Sequence, residues 1–404
     1  MKVLEKKNIV PFVLVTSLFL LWGLANNMTD TLLSAFKRIM SMSDTQTSLI
    51  QFAFYGAYFV IALPAALFIR RHSFKSGVIL GLALYATGAL LFLPAAKAAS
   101  YLFYLIAIYI LASGCSVLET TANPYIMSMG SPETATRRLN IAQAFNPMGS
   151  ILGILLSKFF ILKDISLYSV SGTYTALGVV LVFILVAMLF MKMPEGKDDS
   201  QSQSLWAVFG RLAHNRSYML GVVAQFFYVG AQIGVWSFTI RIVMQELGVL
   251  EAQAATVYLL TIVGFCASRF IYTALMKWYK PSLLLIIGAA LSLVCSLVVV
   301  LTSGSGWLLV AFLMGISFFM SLMFPTIYGI ALGSVVAGKT TSYVAGDEKI
   351  AASGLIMAIL GGALLTPLQG MVSDAWGINL SYLVPCVCFA VVLGYAIYAN
   401  RKEK

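Results

Sequence analysis

Along its length the chain alternates long apolar runs with short polar connectors. A helix crossing a hydrocarbon core about 30 Å thick needs about 20 mostly apolar residues. On that length twelve spans are predicted, at 9–35, 47–69, 76–96, 101–128, 141–162, 172–191, 218–242, 252–276, 282–302, 307–336, 350–372 and 381–400. Pro64, Pro124, Pro325, Pro367 and several glycines fall inside them. Membrane helices tolerate such residues, because neighbouring helices re-satisfy the freed backbone groups. Residues 2–25 look like a cleavable leader, with Lys2, Lys6 and Lys7 ahead of an apolar run. That run continues past Ala25 into Asn26-Asn27-Met28-Thr29-Asp30 with no small-residue cleavage site, so it is read as the first span.

The longest polar stretch, Lys192 to Ser217, follows the sixth span. Its Pro, Gly, Asp, Ser and Gln content reads as a linker. The expected organisation is an N-terminal six-helix bundle over 1–191, a cytoplasmic linker over 192–217 and a C-terminal six-helix bundle over 218–404. Asn123-Pro124 in span four and Phe324-Pro325 in span ten occupy matching places, the mark of a duplicated unit. The predicted fold is thus an all-α polytopic membrane protein, with twelve transmembrane helices in two pseudo-symmetric bundles.

Composition narrows the class. Apolar residues make up 60% of the 404 and charged residues only 10%, against about 25% charged in soluble domains. A soluble fold, disorder and a disulfide-stapled scaffold are excluded. The net charge of +11 invites a nucleic-acid reading, but its placement argues otherwise. Nineteen of the 26 Lys and Arg lie on the N-terminus, the even-numbered connectors and the tail, against six on the opposite side. By the positive-inside rule both termini and the linker face the cytoplasm, and nucleic acid is not an expected partner. Cys115, Cys266, Cys295, Cys386 and Cys388 all sit in apolar runs without CxxC spacing, so they read as buried small hydrophobes. His72 and His214 lie in connectors, and no metal site or cofactor is expected.

Polar residues inside spans are expensive and mark function. Asp30 shares a helical face with Asn26 and Asn27, and Glu119 lies one turn before Asn123. Gln143 and Asn146 are three apart in span five, and Gln225, Tyr228, Gln232 and Trp236 form one stripe in span seven. Asp30 and Glu119 are the only carboxylates well inside apolar spans. A lone carboxylate in low dielectric tends to take up a proton, so this pair is assigned to proton coupling. The amides offer donors and acceptors, and the aromatic faces can lie against a sugar ring, which suits a neutral, hydroxyl-rich ligand. Each amide alone can equally serve as glue between helices. Arg269 is the one cation deep inside a span, and is read as snorkelling or held in a structural ion pair.

At these residues the sequence resembles the fucose–proton symporter family of sugar porters within the major facilitator superfamily. The resemblance rests on Leu21-Trp22-Gly23-Leu24-Ala25-Asn26-Asn27-Met28-Thr29-Asp30, Leu118-Glu119-Thr120-Thr121-Ala122-Asn123-Pro124-Tyr125, Arg138 to Asn146, Gln225 to Gln232 and Phe324-Pro325-Thr326. It implies symport by alternating access in a bacterial inner membrane. It also implies that Asp30 and Glu119 serve proton coupling and sugar recognition, with Asn27, Gln143 and Asn146 at the sugar. Thr29, Pro147 after Asn146, and the 337–350 connector depart from the family pattern. L-fucose is the first expected substrate. Glucose/galactose, fructose or N-acetylglucosamine, sodium coupling and uniport remain as alternatives, and a monomer is expected. The rival class, a membrane enzyme or receptor, lacks a visible nucleophile–base pair, metal ligands or a large extramembrane domain.

Overall fold

A computed structural model describes residues 4, 8–41, 44–161, 166–191, 204–336 and 346–402. Within these, the side chains at 26, 29–38, 44–49, 51 and 158 stand outside the description. All regular elements among the described residues are helical. Eleven helices there are long and apolar enough to cross a membrane, and the apolar stretch Ile9–Ala25 opens a twelfth that runs on to Ile39. We number them α1 (Ile9–Ile39), α2 (Asp44–Arg71), α3 (Phe74–Ala98), α4 (Tyr101–Ser128), α5 (Pro132–Ile161) and α6 (Leu167–Phe190). The second set is α7 (Arg216–Leu247), α8 (Glu251–Leu275), α9 (Pro281–Leu301), α10 (Trp307–Val336), α11 (Asp347–Trp376) and α12 (Ile378–Lys402). They match the twelve expected spans in number and order.

Polar caps start several of the helices. Ser100 Oγ accepts from the Phe103 N–H at the head of α4, and Asn215 Oδ1 accepts from the Tyr218 N–H at the head of α7. Proline acts differently in the two halves. α4 runs unbroken through Pro124. α10 breaks at Ser321-Leu322, just ahead of Pro325, and α5 breaks at Ala144-Phe145, just ahead of Pro147.

The pairing of helices repeats between the halves. α1 packs on α5 as α7 packs on α11, α3 packs on α4 and α6 as α9 packs on α10 and α12, and α2 packs on α4 as α8 packs on α10. Glycine permits the closest of these approaches. A Cβ on Gly149 would run into the Leu20 carbonyl oxygen, and one on Gly23 into that of Asn146, so α1 and α5 touch backbone to backbone. Gly361 of α11 stands against the Phe226 carbonyl of α7 in the same way.

The halves meet firmly at the end that carries the linker. There Asn140 of α5 hydrogen-bonds Thr326 Oγ1 of α10 at 3.3 Å, and Lys349 of α11 reaches the Ile69 carbonyl of α2 and lies over the Phe74 ring. Residues 192–203 of the expected linker fall outside the described residues. The rest contains a short amphipathic helix, Leu205–His214, with Val208 and Leu212 buried. Its Arg211 holds Asp347 with two bonds of 2.7 and 2.8 Å.

Three described residues counted in the charge argument, Arg70 included, are buried rather than surface cations. Arg138 is fully buried and donates to the Ile126 and Met127 carbonyls at the end of α4. Lys349 is buried against the first half. The five cysteines are buried and free.

Candidate functional site

A cavity of about 1020 Å³ lies between the halves. It reaches Arg241 and Glu251, both exposed, at the end away from the linker. Towards the linker it ends above the Asn140–Thr326 and Lys349 contacts. The cavity is therefore accessible from one end and closed at the other.

The first half supplies its polar wall. Asn27 of α1, Glu119 of α4, and Gln143, Asn146 and Ser150 of α5 all line it. The α1–α5 contact sets these positions. Asn146 Nδ2 donates to the Phe19 carbonyl at 3.2 Å, and Ser150 Oγ donates to that of Gly23 at 3.4 Å. Gln143 Nε2 donates to Asn123 Oδ1 at 2.9 Å, which fixes its amide on the α4 side. Glu119 is buried, and no hydrogen bond or cation from another described residue reaches its carboxylate. A carboxylate held buried and unpaired is costly to keep ionised.

The second half supplies rings. Trp236 of α7 donates its Nε1–H to Ser317 Oγ at 3.2 Å and stands edge-on to Phe265, centroids 5.0 Å apart. Phe324 of α10 lines the wall beside it, and Gln232 adds one amide. The first half adds rings of its own, Trp22, Phe52, Phe54, Tyr55 and Tyr58.

Of the residues singled out in the sequence, the cavity brings together Asn27, Glu119, Gln143, Asn146, Gln232 and Trp236. Asn123 stands one layer back, behind Gln143. Gln225 and Tyr228 are fully buried off the cavity, with Phe324 beside the Tyr228 ring. The Gln225 amide has no partner among the described residues, and the Tyr228 hydroxyl stands beside the Arg269 guanidinium. Asn26 and Asp30 lie on α1, but their side chains fall outside the described residues.

Arg269 corrects the sequence reading. It neither snorkels nor pairs with a carboxylate among the described residues. It is buried on the cavity wall, lies 4.7 Å over the Phe265 ring, and donates through Nε to the Ser321 carbonyl at 2.7 Å. Through Nη1 it donates to the Gln143 carbonyl of the other half at 3.0 Å. Both carbonyls sit four residues before a proline, Pro325 and Pro147. Proline has no N–H to give the i−4 carbonyl of its helix, and a buried carbonyl left unpaired costs about 1–3 kcal/mol. One guanidinium thus satisfies two proline-orphaned acceptors. The signal was present in the sequence as three scattered residues, but nothing there shows that they converge.

The family model of the Major Facilitator Superfamily matches residues 15–346. The L-fucose-proton symporter of Haemophilus influenzae is 42% identical, over 100% of this chain and 99% of that protein. The glucose/galactose transporter of Brucella abortus is 33% identical, over 96% of this chain and 93% of that protein. Among solved structures, the Major Facilitator Superfamily transporter FucP in the outward conformation has a TM-score of 0.87 at 33% identity, covering 98% of this chain and 99% of that one.

Proposed function

This chain belongs to the Major Facilitator Superfamily, in the group that holds the L-fucose–proton symporters, and from that premise we propose that it imports a neutral monosaccharide together with a proton. L-fucose is the first candidate. The chain is a multi-pass inner-membrane transporter rather than an enzyme, like the relatives named above. The observation that carries the proposal is the cavity wall itself, where a buried carboxylate, Glu119, stands among the neutral amides Asn27, Gln143 and Asn146 and faces Trp236 across the gap. Amides match sugar hydroxyls, and an aromatic face matches the apolar side of a pyranose. The charge split along the chain supports a cytoplasmic linker and termini, which makes the open end of the cavity the outer one.

Sugar and proton then enter from outside. Protonation of Glu119 removes the cost of holding its charge at a buried, unpaired position. Asp30, three residues after Asn27 on α1, is the second member of the coupling pair. Rocking of the halves opens the linker end by parting Asn140 from Thr326 and Lys349 from Ile69. Release of the proton to the cytoplasm re-ionises Glu119 and resets the carrier. No resident cofactor takes part, and one chain carries the whole cavity, so a monomer suffices.

The test is uptake of a panel of labelled sugars into proteoliposomes, with pH and sodium gradients imposed separately. L-fucose accumulation driven by the pH gradient is the expected result. Uptake that ignores both gradients would overturn symport. A second reading, a glucose/galactose carrier, draws on the Brucella abortus relative, and the same panel separates it.

A further inference from the structure

We propose that Arg269 is a positioning residue that clasps α5 to α10, and that Pro147 and Pro325 make the clasp necessary. The inference rests on the alternating-access reading above. α5 belongs to the first half and α8 and α10 to the second. Arg269 of α8 bonds the Ser321 carbonyl within its own half and the Gln143 carbonyl across the interface, at 2.7 and 3.0 Å. The first bond survives any rigid movement of the second half. The second cannot, because it spans the two bodies that must separate.

The clasp sits directly above the seal. Gln143 is three residues from Asn140, and Ser321 is five from Thr326, the pair hydrogen-bonded between the halves. Opening the linker end therefore strips Arg269 of one acceptor and strips the Gln143 carbonyl of its donor. Pro147 ensures that no helical N–H replaces it. A small residue at 147 would supply that N–H and make opening cheaper. Arg269 also braces the Gln143 end of the α5 break from across the interface. Its ring contact with Phe265, which stands against Trp236, ties the same cation to the aromatic wall. The clasp thus biases the carrier towards the outward-open state and holds both walls in register there.

The test uses a reporter cysteine at Thr326, which is fully buried at the seal, in the full-length protein. Its labelling rate by a membrane-impermeant maleimide reports opening of the linker end without any sugar. Against the T326C background, R269K and P147A should each label several-fold faster. R269K should approach roughly tenfold, the change that about 1.4 kcal/mol in the opening equilibrium produces. Combined, the two should fall well short of the product of their separate effects, because each removes the same dependence. In transport, R269K should raise KM for outside sugar more than it lowers Vmax, and adding P147A should raise it little further. Unchanged labelling in both variants, or fully independent effects, would overturn the clasp.

The native cysteines are buried, so more than one label per chain reports unfolding. Unfolding in R269K and R269Q alike, not relieved by P147A, would assign Arg269 to folding alone and overturn the proposal. The labelling readout stands apart from the substrate reading. A wild type that transports no sugar in the panel removes the latter and leaves the former to be judged on its own.

Discussion

The two halves share a plan and differ in what they hold out to the cavity. α4 and α10 occupy equivalent places and each carries a buried proline. Five residues before Pro124 stands Glu119, whereas five before Pro325 stands Met320. The first half lines the cavity with five rings, three amides, Ser150 and the buried carboxylate of Glu119. The second lines it with Trp236, Phe238, Tyr258, Phe324 and aliphatic groups, with Gln232, Ser237, Thr366 and buried Arg269 among them and exposed Arg241 and Glu251 at the open end. Duplication supplies the scaffold twice, yet among the described residues the buried carboxylate and three of the four amides sit on one copy. The other copy supplies shape and the buried cation that reaches back across. A coupled carrier needs its proton site and its sugar contacts near one another, and on the proposed reading both stand on one wall without a long relay.

That division can be broken in steps of decreasing size. The largest effect is expected for Glu119→Gln, which keeps the shape and removes the charge. Accumulation driven by a pH gradient should fall to the equilibrium level, while sugar exchange continues, as measured by paired uptake and counterflow in proteoliposomes. Active accumulation by this variant would place proton coupling outside the polar wall. Asn146→Ala should come next. It removes a neutral hydrogen-bonding group, and a net worth of ~0.5–1.5 kcal/mol per bond raises KM by up to about tenfold with Vmax little changed. Direct binding by calorimetry is the check.

A milder change is expected on the ring wall. Trp236→Phe keeps a face for the sugar and loses the bond to Ser317, so affinity should drop by about two- to fivefold, from ~0.5–1 kcal/mol. If Phe proved as damaging as Ala, the indole N–H rather than the ring face would be the contact.

The smallest effect lies outside the membrane, at Arg211. Its part-exposed pair with Asp347 contributes up to about 1 kcal/mol, so Arg211→Ala should lower the thermal midpoint only slightly and leave KM unchanged. Hydrogen bonding to Asp347 raises the Arg211 guanidinium above its ordinary range. The folded state therefore holds that proton more tightly, and the contribution is complete below the ordinary arginine range and lost only at more alkaline pH. The difference between Arg211→Ala and wild type should stay flat through neutral pH, as followed by thermal melts. A difference that changed there would mean the pair is not what fixes the linker helix.

Apolar periodicity and connector charge made the twelve helices and their two-fold arrangement legible. A membrane span has one length requirement, and few segments meet it by accident. The cavity lining was legible where a polar residue had no other reason to be inside a span, as with Glu119, Gln143 and Asn146. The stripe in α7 was read too far. Gln225 to Trp236 covers eleven residues, about 16 Å of helix, so one face passes from the packed interior into the cavity along its length. Spacing fixes the face and not the depth. Arg269 was misread for a related reason. Its partners are main-chain carbonyls exposed by prolines on two other helices, and a backbone acceptor leaves no mark in a one-letter code. Arg138 likewise counted as a surface charge while it caps the end of α4 from within.

The glycine contacts between α1 and α5, and between α7 and α11, have a consequence for what counts as cargo. Backbones in direct contact move together, so Asn27, Gln143, Asn146 and Ser150 keep their mutual distances whichever end of the carrier is open. A molecule that touches this wall alone meets the same surroundings in both states, and equal affinity for two states shifts neither. It is a passenger. Only a molecule long enough to touch the opposite wall as well feels the two bodies approach or part, and so can trigger the switch. Reach across the gap, more than the strength of any single contact, separates a transported ligand from one that merely occupies the site.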